Sequence, residues 1–200
     1  MADLSFVHAH APGDAARAPL LLLHGTGGNE HDLVPLVAEI APGRAYVSPR
    51  GKVLENGMPR FFRRFAEGVF DEADVRARAG ELAGFVAEAR DAYGLAAPVA
   101  VGFSNGANIA AALLYLHPEV LAGAVLWRAM TPLSTPPEGR LDGKRVLIAS
   151  GRMDPIVPAA DAANLAAALS GAGAEVAHEA LPTGHGLTRA DLDLARAFLG

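Results

Sequence analysis

The sequence predicts an α/β protein in which a mostly parallel sheet is covered by helices on both faces. Short apolar segments alternate with segments of helical spacing along nearly the whole chain, which is the pattern of a parallel sheet with crossover helices. Segments such as Leu20–Leu23 and Val99–Phe103 are apolar at almost every position, as expected for strands buried on both faces. The 200 residues contain no linker-like segment, so a single domain over residues 1–200 is expected.

The first quarter of the chain is predicted to contain three strands and one helix. Residues 4–8 alternate weakly and form a candidate edge strand, whereas Leu20–Leu23 is a candidate buried strand. A Gly-rich loop at 24–29 precedes residues 30–40, whose apolar side chains recur at helical spacing. Residues 45–48 form a short strand that a proline ends.

The middle of the chain begins with residues 50–70, which are rich in Gly, Phe and Arg and are predicted to be irregular. An Asp cap and an acidic first turn begin a helix over 71–94, which a glycine ends. The strand Val99–Phe103 and a helix over 107–116 follow, and then an apolar strand over 121–127.

The last third of the chain is predicted to contain two further strands, each followed by a helix. Residues 128–143 are Pro-rich and are expected to form a loop. A strand over 145–149 precedes an Ala-rich helix over 158–169, and the strand Glu175–Leu181 precedes an amphipathic helix over 188–199.

A Gly-x-Ser-x-Gly motif joins the strand Val99–Phe103 to the following helix, and it has the pattern of a nucleophile elbow. A serine on such a sharp turn is held away from its own backbone. Because the turn brings backbone segments close together, Gly102 and Gly106 supply the positions without a side chain. Ser104 is therefore the candidate nucleophile.

A serine hydroxyl needs a base, and the base needs an orienting group. His185 follows the last predicted strand with a glycine on each side, and Asp154 follows the strand before it. In a parallel sheet such groups meet at the carboxyl ends of the strands. The chain order Ser, Asp, His is the order of an α/β-hydrolase triad.

The acid of the triad has alternatives. Asp154 precedes a proline, so an Asx turn or a cap for the helix near Pro158 is a second explanation for its presence. Asp161 is the main competitor, although it lies inside a predicted helix. Asp191 and Asp193 fall in the last helix and are expected to be solvated.

Two backbone amides are candidates for an oxyanion hole. The N–H of Asn105 lies at the start of a helix, where unpaired amides favour a developing negative charge. The N–H of Thr26, in the Gly-rich loop at 24–29, is the second candidate. His24 is expected to hydrogen-bond the backbone of that loop.

Four motifs in this order resemble the phospholipase/carboxylesterase family of α/β-hydrolases, which is related to dienelactone hydrolases. They are Leu23-His-Gly-Thr-Gly-Gly28, Gly102-Phe-Ser-Asn-Gly-Ala107, Asp154-Pro-Ile-Val-Pro158 and Gly184-His-Gly186. The resemblance covers residues 20–199 and implies an α/β-hydrolase fold with no large cap domain. It implies hydrolysis of carboxylic esters, often with short acyl chains. It also implies the roles assigned above: Ser104 as nucleophile, Asp154 as acid, His185 as base, and Thr26 and Asn105 as oxyanion amides.

The chain departs from these relatives at two places. Related dienelactone hydrolases carry Cys as the nucleophile, whereas this chain has no Cys. Acyl-thioesterase members tend to have Ser-Gly after the strand that ends near Trp127, where this chain has Arg128. These departures point away from lactone hydrolysis and depalmitoylation.

The irregular segment 50–70 contains Arg60-Phe-Phe-Arg-Arg-Phe, which has three interpretations: a nucleic-acid patch, packing under a long loop, or the border of a substrate pocket. The third makes Phe61, Phe62 and Phe65 candidate substrate contacts. Trp127 and Met130, near a strand end beside the candidate nucleophile, are candidates on the same ground, with core packing as the alternative.

Composition excludes several classes of function. The net charge of −5 and the absence of a basic stripe argue against a nucleic-acid partner. No apolar run reaches the roughly 20 residues of a membrane span, and the first residues do not resemble a secretory signal. A chain without Cys fits a cytoplasmic location. The His residues lack metal-ligand spacing, and neither a metal nor a cofactor is needed. A homodimer is left open.

The sequence therefore predicts a serine carboxylesterase that hydrolyses esters of short to medium acyl chains through a Ser-His-Asp catalytic triad and an acyl-enzyme. A thioesterase, a lysophospholipase-like enzyme or a lactone hydrolase on the same triad is the first alternative. A non-catalytic ligand-binding protein on the same fold is the second.

Overall fold

A seven-stranded sheet forms the centre of the molecule. The computed structural model describes residues 4–135 and 139–200. In these residues the strands, numbered in chain order, are β1 (His8–Ala11), β2 (Leu20–Leu23), β3 (Tyr46–Pro49), β4 (Val53–Glu55), β5 (Met58–Arg60), β6 (Arg64–Ala66), β7 (Val69–Phe70), β8 (Val99–Phe103), β9 (Gly123–Trp127), β10 (Arg145–Gly151) and β11 (Glu175–Leu181). The helices are α1 (Val34–Ile40), α2 (Glu72–Tyr93), α3 (Asn105–Leu116), α4 (Ala159–Gly171) and α5 (Arg189–Leu199), with a 3-10 turn at Pro118–Val120.

The order of strands in the main sheet is β1-β3-β2-β8-β9-β10-β11. Only β1 runs antiparallel, opposite β3, and every other neighbouring pair in this sheet is parallel. The predicted mostly parallel sheet is thus confirmed. It places the carboxyl ends of β8, β10 and β11 at the same edge, where the candidate triad residues follow them.

Helices cover both faces of the sheet, as predicted. Along β2 the odd-numbered leucines, Leu21 and Leu23, belong to one buried cluster, and Leu20 and Leu22 belong to the other. The first cluster contains apolar residues of α2, α3 and α4. The second contains residues of α1 and α5. Because each strand residue meets a helix layer, the strands need apolar side chains at consecutive positions.

The N-terminal strand differs from the prediction for residues 4–8. The ladder with β3 begins at His8 opposite Pro49 and continues to Ala11. Phe6 is apolar for another reason, since its ring lies 5.0 Å from that of Phe85 in the core under α2. The apolar residues of this segment therefore reflect packing in the core, and the strand itself begins at His8.

The first helix is shorter than the predicted 30–40. The amide of His31 donates to the side chain of Asn29, and the amide of Val34 donates to the His31 carbonyl. Such Asx and turn bonds compete with a helical start. The helix begins at Val34, beside the proline that favours a first turn.

Residues 50–70 are not irregular, because they form two hairpins, β4–β5 and β6–β7. The first turn is Asn56-Gly57, with φ of 52° and 80° at the two residues. Asn-Gly is a strong signal for a two-residue hairpin turn, which needs positive φ at both positions. The strands are only two or three residues long, so the alternation that marks a strand is too short to recognise.

The remaining elements match their predicted positions within two residues at both ends. The helix α2 is capped by the Asp71 side chain, and Gly94 ends it with φ of 64°. Within the predicted loop 128–143, residues 136–138 lie outside the described part, and the rest forms no helix or strand. None of the described helices combines the length and the apolar composition that a membrane span requires.

Candidate active site

The turn between β8 and α3 has the backbone geometry of a nucleophile elbow. Ser104 has φ of 53° and ψ of −116°, a region in which a residue with a side chain is strained by about 1–3 kcal/mol. A Cβ on Gly102 would lie 2.6 Å from the Gly106 carbonyl oxygen, and a Cβ on Gly106 would collide with the Leu23 carbonyl. The two glycines of the motif are therefore required by close backbone contacts on the two sides of the turn.

The structure brings Ser104, His185 and Asp154 into one chain of hydrogen bonds. His185 Nε2 lies 3.1 Å from Ser104 Oγ, and His185 Nδ1 lies 2.8 Å from Asp154 Oδ2. The side chain of Asp154 is fully buried, whereas that of His185 keeps 20% of its surface exposed. A buried acid, a partly exposed imidazole and a hydroxyl at a cavity are thus arranged in the order that acyl transfer requires.

Asp154 is held as a carboxylate by its neighbours. Its Oδ1 accepts hydrogen bonds from the amides of Ile156 and Val157, at 2.8 and 3.1 Å. Burial by itself raises the pKa of Asp154, but these amides and His185 outweigh it, and the pKa is lowered. An ionised carboxylate only accepts, so Nδ1 of His185 donates to Asp154. Nε2 is then free to accept the proton of Ser104.

The other acidic candidates have different environments. Asp161 lies in α4, where burial raises the pKa of its carboxyl. Asp193 is 54% exposed and pairs with Arg189, as expected for a solvated residue. The same prediction was wrong for Asp191, which is fully buried and pairs with Arg128 at 2.7 Å. The residue types in the last helix do not reveal this pair, because its partner comes from the end of β9.

Thr26 and Asn105 both line the cavity in front of Ser104. Within the described residues, neither of their backbone amides donates a hydrogen bond to a protein group. The amide of Asn105 is the first of α3, where helix geometry leaves N–H groups without intrahelical partners.

The segment that contains β5 forms hydrogen bonds with both the Gly-rich loop of Thr26 and the side chain of Asn105. Arg60 Nη1 donates to the Thr26 hydroxyl at 2.6 Å, and the amide of Gly27 donates to the Pro59 carbonyl at 2.9 Å. The amide of Phe61 donates to the Asn105 side-chain oxygen at 2.7 Å. This segment therefore ties the Gly-rich loop to the start of α3.

The cavity in front of Ser104 has a volume of about 280 Å³. Its lining combines charged and apolar side chains around the candidate triad and oxyanion residues: Arg60, Arg64, Glu67, Arg128, Phe70, Phe103, Met130, Ile156 and Val157. Met130 is the one predicted substrate contact that belongs to this lining among the described residues.

The other four predicted substrate contacts lie elsewhere. Phe61 and Phe62 are buried and contact the rings of His24 and Phe70, at centroid distances of 4.7 and 5.1 Å. Trp127 is buried in the cluster on the α1 and α5 side of the sheet. Phe65 is 75% exposed on a hairpin. In Arg60-Phe-Phe-Arg-Arg-Phe, two of the arginines line the cavity and the phenylalanines do not.

His24 has the structural role that its position predicts. It is buried beside the Gly-rich loop, its Nδ1 donates to the Gly25 carbonyl at 2.7 Å, and its Nε2 accepts from the Gly51 amide at 3.0 Å. A ring nitrogen that accepts a backbone N–H must be unprotonated. Burial lowers the pKa of His24 and outweighs the hydrogen bond to Gly25, which raises it.

We expect this histidine to make stability depend on pH. Because its folded pKa lies below the ordinary value of 6.5, the unfolded chain binds more protons between the two values. The contribution of neutral His24 to the free energy of unfolding is complete above about pH 6.5 and is lost as the pH falls below that value.

Urea unfolding of the wild type and of His24→Gln between pH 7.5 and 5 should show that the free energy of unfolding depends less on pH in the variant. His31→Gln, at an exposed histidine, should keep the wild-type slope. Equal slopes for all three proteins would contradict this assignment.

Comparison with known proteins gives matches over nearly the whole chain. The sequence profile of the phospholipase/carboxylesterase family matches residues 5–200. MhqD of Bacillus subtilis (strain 168), which is named as a hydrolase, is 44% identical over 181 residues, or 90% of each chain.

Solved structures are similar over the same extent. The crystal structure of the Bacillus cereus carboxylesterase has a TM-score of 0.96 and 44% identity, covering 98% of this chain and 94% of that one. A carboxylesterase from Mesorhizobium loti has a TM-score of 0.93 and 33% identity, covering 100% of this chain and 96% of the other.

Proposed function

Because the chain belongs to the phospholipase/carboxylesterase family and is a hydrolase with the α/β-hydrolase fold, we propose that it is a serine carboxylesterase acting on small carboxylic esters. The observation that carries this proposal is the chain of hydrogen bonds from Asp154 through His185 to Ser104, which ends at a cavity. Nucleophile, base and acid are within hydrogen-bond reach of one another.

In the proposed first step, Ser104 Oγ attacks the ester carbonyl carbon while His185 Nε2 takes the hydroxyl proton. The carbonyl oxygen becomes an oxyanion, which the free amides of Thr26 and Asn105 stabilise by hydrogen bonds; losing one such donor typically costs about 10²–10³ in rate. Asp154 stabilises the imidazolium that forms. When the tetrahedral intermediate collapses, the ester C–O bond breaks and His185 gives its proton to the leaving alcohol.

The second step releases the acid from the acyl-enzyme. A water molecule gives a proton to His185 Nε2 and attacks the acyl carbonyl, and the oxyanion again lies against the two amides. Collapse breaks the bond to Ser104 Oγ, which takes the proton back from His185. The products are one carboxylic acid and one alcohol, and the enzyme returns to its starting protonation state.

The size and polarity of the cavity support esters of short to medium acyl chains. A volume of about 280 Å³ lies just below the range of about 300–1,000 Å³ for pockets that take drug-sized ligands. Guanidinium and carboxylate groups of Arg60, Arg64 and Glu67 line it beside the apolar side chains. A long alkyl chain would have to desolvate these groups or leave the cavity.

A series of p-nitrophenyl esters from acetate to palmitate tests this proposal. We expect kcat/KM to be highest for acetate or butyrate and at least about tenfold lower for palmitate, on the scale of the 1–3 kcal/mol that a misfitted apolar group costs. Thioesters and lactones of matched acid size should be hydrolysed more slowly than the open-chain oxygen esters. A preference for palmitate would favour a lipid hydrolase or thioesterase, and a preference for lactones would favour a lactonase. Failure of a fluorophosphonate to label Ser104 would favour a ligand-binding protein.

A further inference from the structure

Arg128 is a fully buried arginine whose every donor has a partner. Its guanidinium carries five N–H groups. Nε donates to the Gly184 carbonyl at 3.1 Å. Nη1 donates to the Ala149 carbonyl at 3.0 Å and to Asp191 Oδ1 at 2.7 Å. Nη2 donates to the Gly186 carbonyl at 3.0 Å and to Asp191 Oδ2 at 2.8 Å. Full use of a planar fork in this way is specific to arginine.

Two of these acceptors are the carbonyls on either side of His185. Within the described part of the chain, Arg128 is their only hydrogen-bond donor. Gly184 and Gly186 give the loop backbone freedom that other residues would restrict. The position of the imidazole therefore depends on what holds these two carbonyls.

Arg128 also lies next to the candidate nucleophile along the sheet. The residue before it, Trp127, accepts a hydrogen bond from the Ser104 amide at 2.8 Å, and Arg128 itself lines the cavity. Its backbone has φ of 57°, a conformation that side-chain-bearing residues adopt at an energetic cost and that concentrates at functional sites. One residue thus connects the strand beside Ser104 to the loop of His185.

Asp191 compensates the energetic cost of burying the guanidinium charge of Arg128. Both of its oxygens bind Arg128, and Oδ2 also accepts from the amide and the hydroxyl of Thr188, at 2.8 Å each. A buried charge is costly unless it is paired and hydrogen-bonded, and here the pair is neutral as a whole. The same carboxylate belongs to the capping box that begins α5.

We propose that Arg128, held in place by Asp191, is a positioning residue that fixes the loop of His185 so that Nε2 stays within hydrogen-bond reach of Ser104 Oγ. This role rests on the proposed esterase function. Arg128 acts through the two glycine carbonyls and does not exchange protons in the reaction. A lysine offers a single nitrogen and cannot reach both carbonyls and the carboxylate in one plane.

The test uses Arg128→Lys in the full chain, assayed with p-nitrophenyl butyrate at a temperature well below the melting temperature of each protein. We expect kcat to fall about 10- to 100-fold, the scale of a misplaced catalytic group, while KM changes less than about threefold because the other residues that line the cavity are unchanged. The rate of fluorophosphonate labelling should fall by the same factor as kcat. Asp191→Asn, which removes the negative charge but keeps one hydrogen-bond acceptor for Arg128, should also lower kcat.

The matched control is Arg189→Lys, in the exposed pair with Asp193 on the same helix, and it should keep wild-type kcat and labelling. A merely structural role for Arg128 would lower the melting temperature and leave kcat and the labelling rate of the folded protein unchanged, and that result would overturn the proposal. If wild type itself were neither active nor labelled, the proposed function would fail first. An active wild type with a fully active Arg128→Lys would reject the positioning role alone.

Discussion

Replacing Ser104 with alanine should lower ester kcat by about 10⁴- to 10⁶-fold, the range observed when a serine triad loses its nucleophile. In the proposed mechanism the hydroxyl that lies 3.1 Å from His185 Nε2 forms the acyl-enzyme, and no side chain in the elbow can replace it. Alanine fits the turn, since it adds nothing to the volume of serine. We therefore expect the melting temperature to change little, because alanine keeps the Cβ and with it the same backbone strain at φ of 53°. Steady-state kinetics with p-nitrophenyl butyrate and thermal unfolding measure both effects.

The chain offers a matched control for this experiment. Ser150 Oγ lies 2.9 Å from His178 Nε2, so it forms a second serine–histidine hydrogen bond, between β10 and β11. Ser150 and His178 do not belong to the lining of the cavity described above. Ser150→Ala should therefore keep wild-type kcat and fluorophosphonate labelling. Retained turnover in Ser104→Ala would show that the nucleophile is not Ser104.

Local sequence patterns were sufficient to predict the alternating strands and helices of the fold. Continuous apolar segments identified the central strands, because burial on both faces of the sheet requires an apolar side chain at each position. The elbow was identifiable because Gly102 and Gly106 are required by backbone contacts within one turn of the chain. The strand ends then placed Asp154 and His185 near Ser104, since parallel strands bring their carboxyl ends to one edge.

Contacts between distant segments could not be predicted in the same way. A charged residue such as Asp191 is expected to be exposed to solvent. Only the fold shows that Arg128 reaches it from the end of β9. Phe61 and Phe62 directly follow Arg60, which lines the cavity. They come after the hairpin β4–β5, however, and are buried in the core. The Asn56-Gly57 turn was a usable signal for that hairpin. It would have placed Arg60 opposite Val53 in the ladder.

Replacing Asp154 with asparagine should lower kcat by about 10⁴-fold, although the side chain keeps nearly its shape. Oδ1 of Asp154 accepts two backbone amides, those of Ile156 and Val157, at 2.8 and 3.1 Å. The amide group of an asparagine must place its oxygen there, because its NH2 group would face two other donors. The NH2 group is then directed at His185 Nδ1, 2.8 Å from the other oxygen in the wild type.

This orientation fixes the wrong tautomer of the base. A donor opposite Nδ1 requires that nitrogen to be unprotonated, so the proton of a neutral imidazole moves to Nε2. An Nε2–H facing Ser104 cannot accept the hydroxyl proton, and general-base catalysis is lost while the fold remains. Far-UV circular dichroism and the melting temperature should stay close to wild type, because both backbone hydrogen bonds are kept.

A comparison of two variants separates the tautomer from the lost charge. Asp154→Ala also removes the carboxylate, but it leaves Nδ1 without a donor opposite it and leaves the two amides unpaired. It should therefore be less stable than Asp154→Asn by about 1–3 kcal/mol, the cost of unpaired buried donors, and yet at least as active. Asp193→Asn, at an exposed carboxylate, should match wild type in both respects. If Asp154→Asn were clearly more active than Asp154→Ala, the asparagine NH2 group would not hold His185 in the inactive tautomer. Control of the tautomer by the Ile156 and Val157 amides would then be rejected.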